Sequence, residues 1–389
     1  MNQNDIYHYF DWAATSPADE DILRTCLEQT IAVWGNPSSI HTVGKKAHEL
    51  LEQARCTSAA ALGVAPDTVY FTSGGTEGNH IPLLSLINRP KKGTVLISAL
   101  EHPAVRMQAE SLIKCGWHVN TIPATRDGFI TAEAVLSKLT DDTALVCVMA
   151  VNNEMGAIQN IYAIADALES SGNARVKLHV DCVQAAGKIP LDISHKAIAS
   201  ASFSAHKLCG PRGTGIAYLA HAVEPFLRGG GQERNMRSGT ENVYGALAFS
   251  KCLERYCITQ KNTAATSRFA LQKKLTKSFI EKLAAIHSCT VIPETRTAHE
   301  DEYSPWIVQA AFKNMPGQVM LRALDAEGFF ISTGSACSSR RTDSRVLQEL
   351  HVRPELRENA VRFSFGPHTT EQAMQELAEK TAEIAAQFA

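Results

Sequence analysis

SFSAHKLCGPRGTG, residues 202–215, brings a hydroxyl, an imidazole and an amine to one turn. Its first residues read as the end of a buried strand, and Gly210–Pro211 reads as a rigid turn that would hold Lys207 in position. A lysine is ordinarily a solvated surface charge. Here Ser204 and His206, three and one residues before Lys207, suit a phosphate anchored beside a Schiff-base amine.

Outward from this turn, short apolar runs alternate with amphipathic stretches between about residues 43 and 255: VYFTS (69–73), TVLIS (94–98), ALVCVMAV (144–151), KLHVD (177–181), SASFS (200–204) and GIAYLA (215–220). Strands apolar on both faces and separated by helices predict a mainly parallel sheet covered by helices on both sides. After about residue 256 the pattern predicts a smaller α+β unit: a helix over 268–286, strand 307–313, helix 317–328, strand FFIS (329–332), a helix around RVLQELH, strand 360–366 and a last helix capped at Thr370. The expected division is an N-terminal segment 1–15 going with the small unit, a large unit 16–255 and a small unit 256–389.

Two further stretches carry chemistry. SGGTEGNH (73–80) follows a strand and opens a helix, so Gly74 and Gly75 can turn tightly and leave backbone N–H groups for a phosphate; a plain Gly-rich turn is the other reading. In HVDCVQAAGK (179–188), Asp181 ends a strand, where a carboxylate is either a helix cap or the partner of a cationic ring nitrogen. Phosphate cup, ring-nitrogen acid and amine together describe a site for pyridoxal 5'-phosphate.

Composition narrows the function class. The 389 residues, 44% apolar with a formal charge of -2, describe an ordinary globular chain with no broad attraction to nucleic acid or anionic membrane. The opening MNQNDIYHYFDW lacks the pattern of a secretory signal, no apolar run approaches a bilayer span, and ten cysteines without CxxC or metal-like spacing suit a reducing compartment. The expectation is a cytoplasmic protein with no metal, most of whose cysteines are core residues.

FDWAATSP (10–17), GNPSSIHTVGKKA (35–47), FTSGGTEGN (71–79), EHPAV (101–105), NNEMGAIQ (152–159), HVDCVQAAGKIPLD (179–192), FSAHKLCGPRGTG (203–215), GGGQERNMRSGTEN (229–242), STGSACSS (332–339) and VRFSFG (361–366) occur in this order. On these blocks the chain closely resembles the cysteine desulfurases, within the class V aminotransferase group of fold-type I enzymes.

The resemblance implies that Lys207 carries the cofactor and moves the substrate Cα proton, Asp181 pairs with the pyridine nitrogen, Gln184 bonds the phenolic oxygen and His102 lies over the ring. It implies phosphate contacts from Gly75, Thr76, Ser204 and His206, with Thr240 reaching the phosphate of a neighbouring subunit, hence a homodimer. Arg362 would grip the substrate carboxylate, helped by Asn36 and Asn153. L-cysteine would lose its sulfur to the thiolate of Cys337, giving L-alanine and a persulfide.

STGSACSS resembles the longer-loop desulfurases, which feed iron–sulfur scaffolds and transfer-RNA thiolation enzymes. Polar residues around Cys337 imply a mobile loop, about one residue shorter than in relatives; Arg340 and Arg341 either lower the thiol pKa or meet an acidic acceptor. Trp12, Gly78, His80 and Tyr244 depart from the family pattern without touching these groups. Two alternatives stay open: a selenocysteine lyase or other fold-type I enzyme sharing Lys207, Asp181 and Arg362, and a non-catalytic sulfur-transfer scaffold.

Overall fold

Residues 6–334 and 344–388 are described by a computed structural model; Cys337, Arg340 and Arg341 lie outside them. The apolar runs fold as β1 (Val69–Thr72), β2 (Thr94–Ser98), β3 (His118–Ile122), β4 (Thr143–Met149), β5 (Lys177–Asp181), β6 (Ile198–Ser204) and β7 (Gly215–Leu219). Among the described residues these form one sheet in the order β1-β7-β6-β5-β4-β2-β3, parallel from β3 through β6, with β7 antiparallel to both of its neighbours.

Both faces are buried, as the continuous apolar runs require. Along β4, Val146 and Val148 join one apolar cluster while Leu145 and Cys147 join the cluster on the other face. The helices Thr42–Leu62 and Val243–Tyr256 supply Leu51, Ala54, Leu247 and Leu253 to the first cluster, and Pro103–Ile113 supplies Val105 and Leu112 to the second. Strand β3 was not legible as an apolar run because it is an edge strand, HVNTI, with a mostly exposed pattern.

A second, antiparallel sheet has the order β10-β9-β8, with β8 (Cys289–Ile292), β9 (Ile307–Phe312) and β10 (Ala360–Ser364). The helices Thr263–Ala284, Gly317–Ala326 and Glu371–Ala386 pack on it through Phe279, Met320, Leu324 and Leu377. Phe10 and Ala13 belong to this core, and Asp11 bridges Ser364. The strand expected at 329–332 is instead two isolated bridges, Phe330 to Tyr9 and Ser332 to Arg362. Two flanking chains each meet it at one residue, so no continuous ladder forms.

The topology collects chemistry along one edge. The carboxyl ends of the parallel strands β2, β4, β5 and β6 lead to Glu101–His102, Asn152–Asn153, Asp181 and Ser204–Lys207. Register places Ser204 opposite Gly215 of β7, and Gly215 opposite Thr72 of β1, so the Gly74–Gly75 turn opens on that same edge.

Candidate active site

The Gly-rich turn is built for close backbone approach. Gly74 has φ 152°, and the helix Gly75–Leu84 starts with no side-chain cap, so its first N–H groups remain available to an anion. A Cβ on Gly75 would lie 2.6 Å from Val183 Cγ2 and 3.4 Å from the Cβ of Ser204, which forms a wall of the same turn. Thr76 is exposed beside it.

Asp181 makes the local capping bond that its position predicts. Its Oδ1 accepts the Val183 N–H at 3.0 Å, closing the local turn, while Oδ2 accepts Nδ2 of Asn79 at 2.7 Å. Because Nδ2 donates to the carboxylate, Asn79 Oδ1 faces Ser202 Oγ at 2.5 Å and His179 Nε2 at 2.8 Å. Nε2 therefore carries the proton, and Nδ1 accepts from Ser200 Oγ at 2.9 Å. Burial pushes His179 down to about 3, keeping the ring neutral. Neither Asn79 nor His179 was singled out from the sequence; the available signal was His179 between Leu178 and Val180 of a buried strand, and nothing local marks Asn79.

His102 caps the helix Pro103–Ile113, its Nδ1 accepting the Ala104 N–H at 3.1 Å. Burial lowers its pKa, Asp181 opposes that shift and Lys207 adds to it, which places all three groups in one electrostatic neighbourhood. Glu101, adjacent in sequence, accepts from Ser98 Oγ at 2.6 Å and from the Met149 N–H at 2.7 Å. Burial, reinforced by Asp181, raises it to about 8, which favours its neutral form.

Lys207 ends the short turn Ala205–Lys207 after β6 and donates to the carbonyls of Ala13 and Ala14, each at 2.6 Å. The Ser16 N–H and Oγ both donate to the His206 carbonyl, and the Cys209 N–H donates to Ser16 Oγ at 2.7 Å, clamping residues 13–16 against this turn. His206 Nδ1 lies 3.1 Å from Thr15 Oγ1; burial, with Lys207, Arg212 and Lys188 nearby, brings its pKa down to about 4. Gln184 is buried, its Nε2 donating to the Ala13 carbonyl at 2.9 Å and its Oε1 accepting from Lys188.

Arg362 on β10 is 2% exposed. Its Nη1 donates to the carbonyls of Asn153 at 2.8 Å and Gly334 at 2.7 Å, and Nη2 to Asp11 Oδ1 at 2.8 Å; Nε has no partner among the described residues. Asn153 thus meets Arg362 through its main chain. Asn36 sits on an exposed loop, its Oδ1 accepting the Ser38 N–H at 2.9 Å, with no described bond to Arg362. Thr240 is exposed on a loop held by the buried Arg55–Glu233 pair at 2.8 Å and by Arg237–Glu77 at 2.9 Å.

The family described as aminotransferase class V matches residues 8–377. The chain belongs to that family, among its cysteine desulfurases. The enzyme is 33% identical to the cysteine desulfurase IscS of Methanosarcina thermophila over 97% of its own length and 91% of that protein's. Identity is also 33% to the cysteine desulfurase NifS of Azotobacter vinelandii, over 98% and 93% of the two chains. A solved NifS-like protein superposes with TM-score 0.85 at 29% identity, covering 97% of this chain and 99% of the other.

Pyridoxal 5'-phosphate is the cofactor of this family, and the residues present fit it. An uncapped helix start with a glycine that a Cβ would block suits the phosphate, a buried carboxylate fixed by Asn79 suits the ring nitrogen, and Lys207 supplies the amine.

The departures from the family pattern are absorbed by packing. The Trp12 indole is 2% exposed, donates to the Tyr9 carbonyl at 2.8 Å and lies where any Cβ on Gly366 would be, 2.1 Å away. Gly78 packs against Ser202, where an added Cβ would lie 3.0 Å from that side chain. His80 and Tyr244 are half-buried. Among the described residues no helix is long and apolar enough to cross a membrane.

Proposed function

We propose that this enzyme removes sulfur from L-cysteine, releases L-alanine and holds the sulfur as a persulfide on Cys337 before passing it to an acceptor protein. The observation that carries the reading is the placement of Arg362. One guanidinium nitrogen binds the carbonyls of Asn153 and of Gly334, the last described residue before 335–343. On the other side of that stretch, Ser344 Oγ donates to Glu154 Oε2 at 2.6 Å. Both ends of the segment that carries Cys337 are therefore tied beside the arginine that suits a substrate carboxylate.

The geometry supports the following division of labour. Arg362, held in the small sheet, orients the amino acid by its carboxylate. Gly75, Thr76, Ser204 and His206 hold the phosphate, Asp181 the ring nitrogen and Gln184 the phenolic oxygen. When bound, pyridoxal phosphate supplies an electron sink that acidifies the substrate Cα–H and lets the Cβ–S bond break. Lys207 Nζ takes and returns the Cα proton, and neutral His102, with its proton on Nε2, donates toward the reacting sulfur or carbon. The Cys337 thiolate attacks the cysteine sulfur; the S–S bond forms as Cβ–S breaks, and the electron pair left on Cβ is protonated to a methyl group. Atoms balance without an outside oxidant, because the sulfur gained by Cys337 is the sulfur lost by cysteine.

The same reading makes the enzyme a cytoplasmic homodimer whose large unit runs from 16 to 255 and whose small unit, 256–389, is joined by residues 1–15. The exposure of Thr240 and of the apolar residues Trp34, Ile40, Phe226 and Leu227 supports a partner subunit. The acceptor is an iron–sulfur scaffold or a transfer-RNA thiolation enzyme. The test is mass spectrometry after incubation with L-cysteine: one added sulfur, about 32 Da, at Cys337 is expected. Cys337→Ala keeps the cofactor spectrum and its response to cysteine but loses sulfur transfer. Unchanged sulfide formation by that variant would refute the persulfide route.

A further inference from the structure

Lys188 lies seven residues beyond Asp181, in the turn that leaves β5, and is buried. A buried amine costs free energy unless something compensates it, and no carboxylate among the described residues pairs with this one. Its Nζ donates to the side-chain carbonyl of Gln184, and its own main-chain carbonyl accepts Nε1 of Trp306 at 2.5 Å. Lys188 and Lys207 line the same small cavity of about 20 Å³, with Trp12 and Trp306.

The consequence lies in the Gln184 amide. A side-chain amide has two nearly isosteric orientations, and only its neighbours decide which end carries the N–H groups. The Lys188 ammonium is a pure donor and the Ala13 carbonyl a pure acceptor, and together they fix Oε1 toward Lys188 and Nε2 toward Ala13. The Ala13 carbonyl also accepts Lys207 Nζ, so it is a shared and weaker director. The second N–H of Nε2 is then the donor available to the cofactor.

We propose that Lys188 is a positioning residue that locks the Gln184 amide so that its N–H is presented to the phenolic oxygen of the bound cofactor. This rests on the reading of Gln184 as that oxygen's partner. The groups facing Lys188 are the cations Lys207 and Arg362, the Cys209 thiol, and Arg268 on the helix Thr263–Ala284, which lines the cavity. Burial, then Lys207 and Arg362, bring Lys188 down to about 7, so its lock on Gln184 is strongest in the ammonium form, and the Ala13 carbonyl holds the same amide orientation as the charge is shed.

The test uses resting, cofactor-loaded enzyme and reads the pH midpoint of its visible absorbance change, without substrate. Lys188→Met raises that midpoint by about one to two pH units, the span of one hydrogen bond to a charged oxygen. Gln184→Ala raises it similarly, and the double variant matches Gln184→Ala alone, because Lys188 acts through Gln184. Lys188→Arg, which keeps a donor, restores the wild-type midpoint. A loaded Lys188→Met enzyme with an unmoved midpoint overturns the proposal, as does a double variant whose shift is the sum of the single ones. If Gln184→Ala leaves the midpoint unmoved while Lys188→Met shifts it, the Gln184 reading itself fails. Should Lys188→Met not fold, by a circular-dichroism melt, Lys188→Ala, which also removes the donor, replaces it in the same cycle.

Discussion

His179 gives the site a defined acid limit. The ring is fully buried on β5, with Nε2–H on Asn79 and Nδ1 on Ser200, and its pKa falls from 6.5 to about 3 because burial opposes the charge. Below pH 6.5 the unfolded chain binds a proton that the native state refuses, so stability is lost as pH falls from 6.5 toward 3. The slope is about 1.4 kcal/mol per pH unit, which makes the loss about 2.7 kcal/mol at pH 4.5. His179→Gln removes this titration. At neutral pH it weakens two buried hydrogen bonds and costs about 2 kcal/mol. The wild-type advantage should therefore shrink on acidification and vanish near pH 5. His206, pushed down to about 4, titrates in both proteins and cancels in the difference. Urea unfolding of the cofactor-loaded proteins between pH 7 and 4.5 measures the gap; one that stays constant across that range would refute the assignment of His179 as a buried neutral ring.

Gly75→Ala places a methyl 2.6 Å from Val183 Cγ2, an overpacking worth about 1–3 kcal/mol, so cofactor affinity should drop about five- to a hundredfold and Val183→Ala in the same chain should recover it. Equilibrium dialysis reads both, and failure of the second substitution to rescue would place the effect elsewhere. Arg362→Lys keeps the charge but loses the planar fork that reaches Asn153, Gly334 and Asp11; kcat/KM for L-cysteine should fall about ten- to a hundredfold, mainly through KM. A drop confined to kcat would point away from carboxylate recognition.

What was legible in the sequence was local. Strand, turn and lysine follow one another within residues 200–211, and glycines, threonine and helix start within 73–84, so these parts are fixed by neighbours in the chain. Asp181 and His102 were readable as caps or as site residues, and the structure gives each a capping bond, from Val183 and Ala104, in the neighbourhood of Lys207. Asn79 and His179 escaped because their partnership joins residues 100 apart, and nothing short-range marks it. Asn153 reaches Arg362 by a main-chain carbonyl, which side-chain chemistry does not reveal. Asn36, expected as a substrate contact, is exposed on its own loop, where its side-chain carbonyl accepts the Ser38 N–H.

Charge explains why these dispersed parts make one kind of site. Lys207, Lys188 and Arg362 act on one another strongly enough that, after burial, the other two are the main reasons for the low pKa of Lys188. The nearby acids do not offset them equally. Glu101 is raised to about 8 by burial and by Asp181, and Glu154 is raised by burial, so two of the carboxyl groups around the site are pushed toward their neutral forms. Asp11 is committed to Arg362 and Asp181 to Asn79. The balance leaves a buried region richer in cations than in anions, which is stabilised by ligands that bring negative charge with them. A phosphate at the Gly75 helix start and a substrate carboxylate at Arg362 are two such charges in two separate places, and an α-amino acid held by both the cofactor and the arginine is the substrate class that satisfies them together.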